Sequence, residues 1–155
     1  MVVTLPHLTL MNATAFAVDL SNQSEGFIVN VATATGQTIT HSGTTTADQS
    51  VTGGQGADSI TGFSGVDSIV GGAGNDTISA GSAGSDTITG GEDDDTISIV
   101  AHAGNTNKIT ITDFGLGKDK IVGSFTVAGQ LAVTLSDSID YPANFISALG
   151  ASGIA

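Results

Sequence analysis

Between residues 51 and 98, apolar and polar positions alternate on a fixed beat. Isoleucines stand at Ile60, Ile69, Ile78, Ile88 and Ile97, and Val51 continues the row one period upstream. Each isoleucine is flanked by Ser, Thr or Val, so each three-residue piece runs outside, inside, outside, like a short strand. Two residues before each isoleucine comes an aspartate: Asp58, Asp67, Asp76, Asp86 and Asp95. Aligned on these, the chain divides into GGQGADSIT (53–61), GFSGVDSIV (62–70), GGAGNDTIS (71–79), AGSAGSDTIT (80–89) and GGEDDDTIS (90–98), with Ala80 the simplest place for the extra residue of the fourth unit. Glycine reaches backbone angles closed to other residues, so each unit opens with a tight turn. One such unit cannot bury its isoleucine, but stacked units can, along a continuous ladder. The pattern predicts an all-β solenoid over 51–100.

The flanks lack the nine-residue beat but still alternate. Ala13 to Leu20 and Phe27 to Val31 read as strands, Ser21 to Gly26 as a turn, and Gln37 to Thr40 as another rung. Residues 1–50 are therefore expected to form further β coils or a small β layer stacked on the roll. Residues 101–155 are expected to form a cap, with strands over 126–139 and a short helix from Pro142 to Leu149. Pro142 suits the first helical turn and Gly150 the position just past the end.

Charge changes the picture. The chain of 155 residues has 15 acids against 3 Lys and Arg, a net charge of -12. Nucleic acid and anionic membrane surfaces call for clustered cations and are excluded as partners. Residues 53–98 hold eight acidic side chains and no basic one. Stacking like charges at strand spacing is repulsive, so a counter-cation is required. Hydrophobic residues make up 39% and mean hydropathy is positive, which argues against a disordered acidic chain. With 5% aromatics and no Trp, a thick core is not expected, and with no Cys no disulfide contributes. No apolar run is long enough to span a bilayer.

The units resemble the nonapeptide G-G-x-G-x-D-x-U-x of RTX proteins, a calcium-binding repeat. The resemblance implies a right-handed parallel β-roll, two nonapeptides per coil, with calcium between unit n and unit n+2. Stacked strands lie about 4.7–4.9 Å apart and calcium–oxygen bonds run about 2.3–2.6 Å, so an ion between two turns reaches oxygens on both. Asp58, Asp76 and Asp95 then line one edge, with Gly53, Gly54, Gly56, Gly71, Gly72, Gly74, Gly90 and Gly91 shaping its turns. Two ions are expected there. Asp67 and Asp86 line the other edge, where one more is expected to bind less securely, because Phe63 and Ser82 replace the second glycine. Asp93 replaces the fourth-position glycine of the fifth unit and either adds a ligand or is solvated. The alternative is a metal-free solenoid whose aspartates only make turns.

Downstream, the run Ile109-Thr-Ile-Thr-Asp113-Phe114-Gly-Leu-Gly117-Lys-Asp119-Lys-Ile121 is similar to the segment that follows RTX arrays in serralysin-type proteases. There it closes the open end of the roll. Asp113 and Asp119 either ligate a last ion or make a hydrogen-bonded turn. The resemblance also implies export by a type I system through an uncleaved C-terminal signal, and the tail fits either that or a plain cap. Thr-, Val- and Ala-rich coils beside RTX units resemble bacterial surface-layer proteins and adhesins.

No HExxH or G-x-S-x-G motif is present, and His7, His41 and His102 are isolated, so no enzyme is expected. Three function classes remain. The first is a secreted, calcium-stiffened surface layer, adhesin or matrix protein, with self-assembly or cell-surface polysaccharide as partners. The second is the non-catalytic module of a larger exported protease or lipase. The third, a flat Thr-rich face that recognises ice or glycan, ranks last, because the turn position held by Ala57, Val66, Asn75, Ser85 and Asp94 is irregular.

Overall fold

Each nine-residue unit supplies one short strand, and successive strands go to opposite sheets. The computed structural model describes residues 7–11, 17–19, 28–32, 38–40, 48–62, 64–81, 83–100, 108–124 and 132–135. The expected helix at 142–149 lies outside these residues. One sheet is built in the order β1 (His7–Met11), β3 (Ile28–Ala32), β5 (Ser50–Gln55), β7 (Ser68–Ala73), β9 (Thr87–Glu92), β11 (Lys108–Ile111) and β13 (Ala132–Leu135). The other runs β2 (Ala17–Asp19), β4 (Thr38–Thr40), β6 (Ser59–Thr61), β8 (Thr77–Ser79), β10 (Thr96–Val100) and β12 (Lys120–Ser124). Every ladder is parallel, as coils that return in the same direction require. The fold is an all-β parallel solenoid in which two units make one coil. Strands from the first fifty residues join the same two sheets as the repeat array.

The isoleucine row accordingly splits into two ladders. Val51, Ile69 and Ile88 are in register in the first sheet, and Ile60, Ile78, Ile97 and Ile121 in the second. The ladders meet in a thin core where Val51, Ile69, Ile78, Ile88 and Ile97 are fully buried. Each such burial stabilises by about 1.5–3 kcal/mol. Phe114, in the segment expected to close the roll, is the aromatic member of this core.

Register also locates the insertion. Thr61 pairs with Ser79, eighteen residues on, whereas Ser64 bridges Ala83, nineteen residues on. The extra residue therefore lies between Ser79 and Ala83, a window that contains the buried Ala80.

The two edges of the solenoid differ. β5, β7 and β9 run on into their glycine pairs, so that Gly54, Gly72 and Gly91 stay in register. Those turns (53–58, 71–76, 90–95) cross from the first sheet to the second and form what is here called the leading edge. The turns 62–67 and 80–86 return to the first sheet and form the trailing edge.

Candidate metal centre

The five repeat aspartates are buried, although every neighbouring charge on the array is also negative. Local structure explains how. Asp76, Asp86 and Asp95 each use Oδ1 to accept the backbone N–H of the aspartate one coil earlier. Asp58 N donates to Asp76 Oδ1 at 2.8 Å, Asp76 N to Asp95 Oδ1 at 2.9 Å and Asp67 N to Asp86 Oδ1 at 3.0 Å. The column extends past the repeats at both ends: Gln49 N donates to Asp67 Oδ1, and Asp95 N to Asp119 Oδ1, each at 3.0 Å.

The second oxygen is another matter. Oδ2 of Asp76 and of Asp95 is buried without a hydrogen-bond partner, on residues only 1% exposed. A buried acceptor left unmet costs about 1–3 kcal/mol, and more when charged. On the leading edge this oxygen turns toward the first glycine of its own unit. A Cβ on Gly71 would collide with Asp76 Oδ2 and with the carbonyl oxygen of Gly90 in the next coil. A Cβ on Gly53 would meet Asp58 Oδ2 and the Gly71 carbonyl in the same way. Acceptors from two coils thus converge at each of these glycines.

Burial pushes the Asp76 carboxyl up to about 7, with the charges of Asp58, Asp95 and Asp93 adding to the rise. Burial likewise raises Asp86 to about 7, helped by Asp67, and Asp95 to about 6, helped by Asp119, Asp113 and Asp93. The backbone N–H donated to each pulls the other way. A hard cation that prefers all-oxygen shells answers both the unmet oxygens and the crowding of charge. Among the described residues no three acidic or histidine side chains group as a metal site. Backbone carbonyls would therefore complete any shell, as calcium accepts.

The other predicted residues fall into distinct places. Gly72 has φ +125°, and a Cβ there would strike the Gly54 carbonyl, so this turn admits only glycine. Asp93 is exposed and adopts φ 79°, taking the backbone role that Gly56 and Gly74 have in their turns, which Asp tolerates better than most residues. Asp113 accepts Gly90 N on Oδ1 at 2.9 Å and Gly91 N on Oδ2 at 2.7 Å. Asp119 accepts Gly115 N on Oδ2 at 2.8 Å besides Asp95 N on Oδ1.

Sequence reasoning missed that 114–119 is itself a worn repeat turn. It stacks on 90–95, with Asp119 over Asp95 and Ile121 over Ile97. The spacing of Gly115, Gly117, Asp119 and Ile121 matches positions two, four, six and eight of the nonapeptide and was the available signal. The regular hydroxyl rows lie on the strands and not at the turn position of Ala57, Val66, Asn75, Ser85 and Asp94. Ser59, Thr77 and Thr96, and beside them Thr61, Ser79 and Ser98, run in register along the second sheet.

A family model for the RTX calcium-binding nonapeptide repeat, four copies long, matches residues 44–78 and 80–98, breaking beside the extra residue. No curated protein and no solved structure matches the chain. Repeat sequence, two-unit coils and paired acceptors over the turn glycines agree: residues 44–78 and 80–98 are RTX calcium-binding nonapeptide repeats, wound here into a parallel β-roll.

Proposed function

We propose that this β-roll is a secreted bacterial structural module without catalysis of its own, which folds on calcium outside the cell and stiffens a surface layer, adhesin or matrix. The observation that carries the reading is the buried Oδ2 of Asp76 facing the Gly90 carbonyl. Such an arrangement opposes folding until a cation is supplied. Calcium, when bound, brings two positive charges to these oxygens. The chain does the rest: Oδ1 of Asp67, Asp76, Asp86 and Asp95 fixes each carboxylate against the preceding coil, and the glycines let carbonyls of adjacent turns approach. Metal binding and folding are thereby linked, so the fold is weak at low calcium and strengthened as calcium rises. No helix among the described residues is long and apolar enough to cross a membrane.

Circular dichroism with and without chelator tests the folding step. A melting temperature of the β signal that drops on chelation and recovers with calcium supports it, and one that does not move refutes it. Light scattering with added calcium tests the structural role, with growth of assemblies expected. A persistent monomer favours the second reading, a non-catalytic module of a larger exported enzyme, and a protease or lipase domain encoded upstream would support that reading directly. The hydroxyl rows on the second sheet favour a third use of the same scaffold, recognition of ice or glycan by a flat Ser/Thr face, which ice-recrystallisation and glycan-binding assays address.

A further inference from the structure

The acids of the repeat array are confined to the edges of the roll. All eight acidic side chains of residues 53–98 lie in the turns 53–58, 62–67, 71–76, 80–86 and 90–95. The strands between those turns carry hydroxyls outward. In the second sheet Ser59, Thr77 and Thr96 form one row, and Thr61, Ser79 and Ser98 form another, two residues further along each strand. Ile78 and Ile97, between the rows, are fully buried, so the flanking side chains stand on the opposite, solvent-facing side. Ser59 and Thr77 are exposed, and the other four are half-buried. β4 brings Thr38 into the first row, in register with Ser59, and the row meets a charge at Lys120 of β12.

The first sheet is less regular. Val70 interrupts its second row, in register with Thr52 and Thr89. Thr89 and Thr112 pair their hydroxyls, with the Oγ1 atoms 2.8 Å apart, and Thr112 Oγ1 also donates to the Ile88 carbonyl. On the second sheet the six hydroxyls follow one another without a bulge, because each coil adds the same three paired residues. Within one row, neighbouring positions lie about 4.7–4.9 Å apart, and the two rows are separated by about 6.6 Å along the strands. The result is an uncharged hydroxyl grid on a chain of net charge -12.

A neutral face on an acidic chain suits a neutral partner. By these spacings the six hydroxyls span about 10 Å by 7 Å. A stable protein interface needs about 1,000 Å² and an apolar centre, so a second copy or another protein is a poor match. A single dissolved solute engages one or two hydroxyls and gains nothing from the repeat. A crystal lattice engages all of them at once, and rows fixed by backbone ladders need no ordering on contact. Water oxygens on the prism faces of ice repeat with closely similar spacings in two directions. Thr77 and Thr96 add a methyl group beside the hydroxyl, an apolar contact that the same lattice accepts. We propose that the outer face of the second sheet is an ice-binding surface, formed by Ser59, Thr77, Thr96, Thr61, Ser79 and Ser98 together. Of the ligands named above for the Ser/Thr face, ice is the one this grid fits. The surface rests on the calcium-bound β-roll reading, because the turns that calcium orders hold the coils in register.

The test is ice recrystallisation with the full chain in calcium, read as the protein concentration that halves crystal growth, with circular dichroism at the assay temperature to confirm folding. Wild type is expected to slow growth. Thr77→Lys and Ser59→Lys each place a charged side chain at an exposed point of the grid, and each is expected to need about tenfold more protein for the same effect. Thr87→Lys, at the equivalent exposed position of the first sheet, is expected to match wild type. A folded wild type without effect on ice, or an equal loss with Thr87→Lys, would overturn the proposal. Retention on cellulose, a neutral polysaccharide, with no effect on ice would overturn it as well. A wild type with no β signal in calcium would instead remove the roll, and the surface with it.

Discussion

The Asp76→Asn substitution should change sign with calcium. Asparagine keeps the Oδ1 that accepts Asp58 N at 2.8 Å, keeps the volume and removes the charge. In chelator at pH 8, wild-type Asp76, raised to about 7 mainly by burial, is mostly ionised and buried, with Oδ2 facing the Gly90 carbonyl. The asparagine amide puts a donor where that second acceptor stood. The variant is therefore expected to match or exceed wild-type stability without metal. With free calcium at about a hundred times its Kd, each filled site contributes about 2.7 kcal/mol. Loss of one site then lowers the melting temperature by roughly 5–10 °C for a chain of this size. Denaturant unfolding followed by circular dichroism, run in chelator and in calcium, measures both arms. A loss of equal size in the two conditions would mean that Oδ2 serves no cation, and the argument from the unmet oxygen would fail.

Other outcomes follow from the same geometry. Ile78→Ala removes the middle of the Ile60–Ile78–Ile97 ladder at a fully buried position, and a cost of about 2–5 kcal/mol is expected in calcium, read from the urea midpoint. Gly72→Ala places a methyl group against the Gly54 carbonyl at a φ of +125°, which is expected to cost at least about 1–2 kcal/mol and to weaken calcium affinity together with the fold. In chelator, stability should fall as pH rises: Asp76 and Asp86 shift from 3.8 to about 7 and Asp95 to about 6, so their protonated forms favour the fold. That contribution is complete below about pH 4 and lost as pH climbs through 6 to 7, a trend that thermal melts should reverse in saturating calcium, where protons compete with the ion.

Much of this architecture was legible in the chain because a nine-residue beat carries little ambiguity. A strand centre, a glycine turn and an aspartate recur together, and only stacked coils satisfy all three. What the beat did not disclose was direction. Sequence set Asp58 and Asp67 on opposite edges and made the Phe63 edge the weaker, but it did not show that the strand before Asp58 continues through Gly53 and Gly54 into its turn. Only the stacking of coils brings Asp76 Oδ2 and the Gly90 carbonyl of the next coil together over Gly71. Asp113 was left between ligand and turn-former because a carboxylate before a glycine run suits both. Its two amide partners belong to the preceding coil, twenty-two and twenty-three residues away, a distance no local motif encodes.

The aspartate column also explains how coils this thin hold together. A second set of side-chain bonds runs in the opposite sense on the outer surface. Val66 N donates to Asp48 Oδ1, Asp94 N to Asn75 Oδ1 and Lys118 N to Asp94 Oδ1, so here the earlier coil accepts from the later one. In the inner column the later coil accepts from the earlier. Each turn is thus gripped by side chains from above and from below, whether or not an ion is present. Turn 71–76 is the shared piece: its Gly71 carbonyl approaches Gly53, and its own Gly71 and Asp76 face Gly90. Whatever orders that turn for one ion presents the donors for the other. In a nearest-neighbour solenoid, such sharing couples the gaps and lets folding spread from a coil already held. The closing turn, whose Asp113 and Asp119 carboxylates accept backbone amides, lies directly against turn 90–95.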